Sequence, residues 1–161
     1  MFFNFVLDAA EHARAPLAHR RYIPFKSYPI REYNELVDEC AAQAFPTLDA
    51  RPARRLIGQF IYPAFAQTMV GTAIFAVAGH DLQRVIEVAP RAYSVSIDPG
   101  RVSVVASAGH ALVQLREIWT YVDSLHCGIF EGAIQRCGAQ GQVDVKVLSD
   151  CDADFEIVWT P

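Results

Sequence analysis

The stretch GQFIYPAFAQTMVGTAIFAVAG, residues 58–79, runs for 22 residues without a charged side chain. At about 1.5 Å per residue, a helix of that length would cross the roughly 30 Å hydrocarbon core of a bilayer. Two features turn the reading towards burial in protein. Pro63 has no N–H, so the carbonyl of Gln59 loses its helical partner and a kink or break is expected there. Gln67 and Thr68 fall at the centre of the run, where a bilayer penalises polar side chains most. The run therefore predicts a central helix, kinked at Pro63, enclosed between a sheet and other helices and apolar all round.

The flanking sequence supplies those neighbours. Residues 3–14 predict a short helix, and the proline-containing RAPLAHRRYIPFKSYP that follows is irregular. In IREYNELVDECAAQAFP, residues 30–46, Tyr33, Leu36, Val37, Cys40, Ala41 and Ala44 repeat at helical spacing until Pro46 stops them. Asp49 and Pro52 signal the start of the helix that carries the opening stretch, and residues 81–88 predict another before Pro90. The period then changes. YSVSI (93–97) alternates, DPG (98–100) signals a turn, and RVSVVAS places Val102, Val104 and Ala106 on one face. ALVQLRE turns Ala111, Val113 and Leu115 inward. YVDSLHCGIFEGAIQRCG returns to helix, with Asp123 or Ser124 as N-cap and Gly138 at its stop. VDVKV and DFEIVW then alternate with Val143, Val145, Val147 and Phe155, Ile157, Trp159 inward. Helices, a strand meander, a helix and a hairpin imply an α+β fold: an antiparallel four- to five-stranded sheet, one face covered by about four to five helices.

The 161 residues fit one domain, 1–161. Within it, 1–21 reads as N-terminal helix and linker, 22–92 as a helical part, and 93–161 as meander, helix and C-terminal hairpin. A 52% hydrophobic and 20% charged composition is that of a folding chain. The net charge of −4 argues against a global grip on nucleic acid. Asp8 and Glu11 interrupt the apolar N-terminus and no basic region precedes it, so a secretory signal is not expected. Cys40, Cys127, Cys137 and Cys151 lack CxxC spacing. Reduced thiols and a cytoplasmic location are the expectation.

A resemblance rests on RRLIGQFIYPAFAQTMVGTAIFAVAG, PRAYSVSI, HCGIFEGAIQRCGAQGQVDVKV and FEIVW. The shared pattern is Leu56 with Gly58, Thr68 and Gly71 in the long helix, Arg91, then Gly128, Glu131 and Gly132, and Trp159. Over residues 22–160 the chain resembles an uncharacterised paralogous family of about 200-residue proteins that is abundant in myxobacteria. More distantly, it is similar to the NO-signalling/Golgi-transport ligand-binding fold of haem nitric-oxide sensors, four-vinyl-reductase and TRAPP-like domains. The resemblance implies a binding or assembly module, with a hydrophobic channel between helices and sheet. The sensors' Y-x-S-x-R haem signature is absent, because Tyr93 and Ser96 are wrongly spaced and the arginine is missing. That argues against haem.

Residues that suggest other chemistry have ordinary readings beside them. His110, His126, Cys127, Cys137 and Cys151 lack the close pairing, about two to five residues apart, of structural zinc ligands. Asp150, Asp152 and Asp154 copy the opening of a calcium loop, but Phe155 stands where its glycine belongs, so a polar hairpin turn is expected. Asp123, Ser124 and His126 have the residue types of a hydrolytic triad, yet helix capping explains the first two, and no nucleophile elbow or phosphate loop exists. Gly128 and Gly132 make a small face that permits close approach, either to the sheet or to a second copy of the chain. Glu131, between them, steps away towards solvent. HRRY (19–22) and RPARR (51–55) are basic, and arginines in a helix's first turn oppose its dipole and need acidic neighbours or an anionic partner, nucleic acid being the alternative.

These readings converge on a non-enzymatic sensory or scaffold module. Its pocket, between the central helix and the sheet, would be bordered by Phe60, Phe65, Met69, Phe75, Phe130 and Trp159 and would take a small apolar ligand. The alternative is a protein–protein adaptor, a homodimer or signalling-complex subunit, with a solid core.

Overall fold

The computed structural model describes residues 4, 6–8, 11, 22–23, 26–76 and 78–160. Residues 4, 6–8 and 11 are helical; the rest of the helix expected over 3–14 lies outside the described residues. The helical spacing of residues 30–44 folds as α1 (Ile30–Ala44), with Tyr33, Leu36, Val37, Cys40 and Ala41 on its buried side. After Asp49, α2 (Ala50–Ala66) begins and runs through Pro63.

The uncharged run is not one helix. α2 stops at Ala66, and α3 (Met69–Phe75) starts afresh. Thr68 makes the break: its Oγ1 accepts from the Gly71 N–H at 3.0 Å and donates to the Phe65 carbonyl at 2.8 Å. A side chain that satisfies the first amides of a new helix ends the old one. A Cβ at Gly71 would collide with that same carbonyl, so only glycine lets α3 fold back on the end of α2.

Two short helices follow, α4 (Leu82–Glu87), capped by Asp81, and α5 (Ala89–Ser94), with Pro90 in its first turn. The strand expected at 93–97 is therefore absent. The Ser94 and Ser96 hydroxyls donate back to the Arg91 and Ala92 carbonyls, at 3.0 and 2.8 Å, and continue the helical turn.

β1 (Arg101–Ser107) and β2 (His110–Arg116) form one hairpin, and β3 (Gln140–Val147) and β4 (Ala153–Thr160) the other. They join as an antiparallel sheet of order β1-β2-β4-β3. The register sets Val104, Val113, Phe155 and Val145 in one row across the inner face. Val147, expected inward, is exposed at the last position of the edge strand.

Between the hairpins lies α6 (Leu125–Arg136), and this helix, rather than the 58–79 run, is the central one. One side packs on the sheet, with the Phe130 and Phe155 rings edge to face at 5.0 Å. The other side meets α2. A Cβ at Gly128 or Gly132 would strike the Arg55 or Gln59 carbonyl, and one at Gly58 the Leu125 carbonyl. The small face expected to meet the sheet or a second copy thus receives α2. A sheet-side core holds Phe130, Ala133 and Ile134, and a helix-side core under α1 and α2 holds Leu125, Ile57 and Leu36.

Candidate functional site

An apolar recess of about 50 Å³ lies where α2, α3, α4, α5 and α6 converge. Its walls are Ile61, Tyr62, Phe65, Phe75, Val85, Ile86, Ala89, Ala92, Tyr93, Ile129, Phe130 and Ala133. Leu82, Val85 and Ile86 are spaced to bury one face of α4, which delivers the latter two to the wall. Phe75, the inward residue at the end of α3, stands edge to face with Tyr62 at 5.4 Å and Phe65 at 5.8 Å. It is half-buried and lines the recess from the α3 side. The structure brings together three of the six expected residues: Phe65, Phe75 and Phe130. Phe60 packs against the helix-side core, and Trp159 is buried in the sheet-side core away from the recess wall. Met69 is 80% exposed, because the break at Thr68 turns it outward as the first residue of α3.

Beside the recess, one buried histidine joins α5 to the β2–α6 connection. His126 Nδ1 meets the Tyr93 hydroxyl at 2.7 Å, and its Nε2 meets the Thr120 hydroxyl at 2.6 Å. Burial pushes the imidazole pKa down to about 3, so the ring is neutral, one nitrogen donating and the other accepting. Burial likewise pushes the Tyr93 phenol up, and Tyr93 stays protonated. No spacing rule would pair Thr120 and Tyr93 through His126; α5 carries Tyr93 and the connection after β2 carries Thr120 to it.

His126 is thereby withdrawn from the expected triad types. Ser124 is the N-cap of α6 but makes no side-chain capping bond; its hydroxyl donates to Asp123 at 2.9 Å, and Asp123 pairs with Arg51. Burial pushes the Cys127 thiol up to about 11, which leaves it protonated at neutral pH.

The basic stretch 51–55 finds the acids it needs. Arg51 pairs with Asp123, Arg54 with Asp38 at 2.6 Å, and Arg55 with Glu131. Glu131 does not step into solvent: it takes Arg55 on one oxygen and Gln59 on the other, and that bond holds the Arg55 guanidinium's pKa above its usual value. Arg54 also lies 3.7 Å from the centre of the Tyr121 ring, whose hydroxyl donates to Asp38. His19, Arg20 and Arg21 lie outside the described residues.

The aspartate run forms the expected turn. Asp152 accepts from the Glu117 N–H and the Ser149 hydroxyl, and Asp154 pairs with Arg116. Among the described residues no group of three or more His, Cys, Asp or Glu converges on one point, and no helix is long and apolar enough to cross a membrane.

A haem does not fit the recess. A cavity needs about 10–15 Å³ for each water it holds, so 50 Å³ admits only a few heavy atoms. The wall offers no imidazole, since both nitrogens of His126, the buried histidine among the described residues, are already engaged. It carries no cation for the propionates either.

Comparison with known proteins completes the description. A family model described as "Protein of unknown function (DUF2378)" matches residues 1–160. No functionally curated protein matches the chain in sequence. Among solved structures, the chain is similar to an H-NOX protein from K. algicida, an Fe(II) unliganded variant, at TM-score 0.64 and 9% identity, over 99% of this chain and 93% of that one. It is similar to an H-NOX protein from S. oneidensis in the Fe(II)NO ligation state, at 0.63 and 14%, over 99% and 98%. A T. tengcongensis H-NOX variant gives 0.64 and 12%, over 99% and 88%. At such identities the likeness is one of fold: the α+β architecture is H-NOX-like.

Proposed function

We propose that this chain, which belongs to the DUF2378 family, is a non-catalytic sensory module that takes a small apolar molecule into the recess beneath α3. The observation that carries the reading is the wall itself. Side chains from five helices line a space that is carbon almost throughout, and of its two tyrosines Tyr93 turns its hydroxyl to His126. An apolar space of this kind stays dry and favours an apolar guest over water. Its size selects a ligand of a few heavy atoms, and Phe75 on the short α3 borders it with its ring against Tyr62 and Phe65. The H-NOX-like fold is consistent with a sensor, while the recess wall points away from haem.

Xenon is the direct probe. Melting the protein under xenon pressure should raise Tm, since a guest that binds only the folded state stabilises it. Ala133→Val fills the recess and should abolish the rise, whereas Phe75→Ala enlarges the recess and should increase it. Equal melting temperatures with and without xenon in the wild-type protein and the Phe75→Ala variant would overturn the reading.

A further inference from the structure

A second, larger cleft of about 320 Å³ shares no lining residue with the recess. Residues 94–99, from the segment expected as a strand and the turn after it, form one wall. Residues at and before the start of α1 form the second, and Trp119 and Thr120, from the β2–α6 connection, the third. The volume lies within the roughly 300–1,000 Å³ of small-molecule sites.

Three features define what it would hold. Trp119 is 53% exposed, a large indole left open to water, on a backbone fixed by the Asn34 amide donating to its carbonyl at 2.9 Å. Lys26 lines the cleft with its ammonium 5.1 Å from the centre of the Tyr28 ring. Asp98 lines it from the 94–99 wall. Lys26 and Asp98 are not paired with each other, and neither has an ion-pair partner among the described residues.

Those charges discriminate between ligand classes. A simple anion would meet Asp98, and a simple cation would meet Lys26. A wholly apolar guest would strip water from both charges and return nothing, which is costly. A flat ring carrying one charge of each sign satisfies all three groups. We propose that this cleft binds a zwitterionic aromatic molecule, of the class of a free aromatic amino acid. The ring lies against Trp119, the carboxylate towards Lys26 and the ammonium towards Asp98. The site is separate from the apolar recess and does not depend on that reading.

Titration calorimetry of the full chain with three probes tests it. L-phenylalanine carries both charges, phenylacetate only the negative one, and phenethylamine only the positive one. L-phenylalanine should bind at least about tenfold more tightly than either half-ligand, one tenfold step being about 1.4 kcal/mol. Trp119→Ala should weaken it by a similar factor. Lys26→Gln should weaken L-phenylalanine and phenylacetate but not phenethylamine, and Asp98→Asn should weaken L-phenylalanine and phenethylamine but not phenylacetate. All three side chains lie at the surface of the cleft, so the variants should keep the wild-type circular dichroism. No saturable heat with L-phenylalanine, unchanged binding by Trp119→Ala, or charge variants that affect all three probes alike would each overturn the proposal.

Discussion

His126 has no charge at neutral pH, and that makes it a measurable part of the protein's stability. Its folded pKa is about 3 against an ordinary 6.5, with burial as the main cause. Below about pH 6.5 the unfolded chain takes up a proton that the folded chain refuses. The group's contribution is therefore complete above pH 6.5 and falls as pH drops, by about 1.4 kcal/mol per unit, until about pH 3. Urea unfolding followed from about pH 7 to about pH 4 should show this slope, and His126→Gln should lose that part of it. Identical slopes for the two proteins would assign the acid sensitivity to other groups. The hydroxyl partners give a second measurement. Thr120 is fully buried, and Thr120→Val keeps its shape while leaving an imidazole nitrogen without a partner. The expected cost is about 1–3 kcal/mol in the same urea assay, the price of an orphaned buried polar group.

The crossing of α2 and α6 is where backbone meets backbone, and propensity and packing there predict opposite signs. On propensity alone, Gly128→Ala should stabilise α6 by up to about 1 kcal/mol. The added Cβ, however, would strike the Arg55 carbonyl, which belongs to a helix backbone and cannot swing away. Gly128→Ala should therefore destabilise by about 1–3 kcal/mol or more, read as a lower urea midpoint at unchanged m-value. A higher midpoint would mean that the crossing is loose. Thr68→Val should cost about 1 kcal/mol, because it removes the cap that starts α3. The same elements show what sequence reading reaches. α1 was legible because its buried residues recur at helical spacing, the hairpins because apolar residues alternate along their strands, and α6, buried nearly all round, because of its start signal and the Gly138 stop. The end of α2 was not, because its break rests on one threonine hydroxyl and one glycine contact inside an unbroken apolar run. α5 was hidden by a true alternation, Tyr93, Val95 and Ile97 against serines, whose hydroxyls in fact bond to the preceding helical turn. The recess was half legible for the same reason: Phe65 precedes the reversal and keeps its expected face, whereas Met69, just after it, is rotated out. Gly128 and Gly132 recorded a close approach in the sequence, but a small side chain does not say which element approaches.

Among the described residues two cores meet along α6, and α2 and α5 also face both, with Tyr62 and Tyr93 in the sheet-side core and Ile61 and Ala92 in the helix-side one. The sheet-side core is closed by Phe130, Ala133 and Ile134 of α6, and the helix-side core by its Leu125. α2 is fastened to α6 by the glycine crossing and by the Arg55–Glu131–Gln59 cluster, with no contact of its own needed at the sheet centre. Damage on the sheet should therefore pass through α6 to α1 and α2. Phe155 is the sharpest test, being fully buried on β4 with its ring against Phe130 and remote from the helix-side core. Phe155→Ala should cost about 3–5 kcal/mol through the lost burial and the cavity left behind. Helical circular dichroism reports mainly on α1, α2 and α6, and the fluorescence of buried Trp159 on the sheet, in a Trp119→Phe background that silences the exposed indole. If α6 couples the cores, both signals should move to the same lower urea midpoint in the Phe155→Ala protein. A fluorescence transition that shifts alone, with the helical signal left behind, would show that α1 and α2 hold a separate folding unit and that the crossing is a contact between units rather than the spine of one.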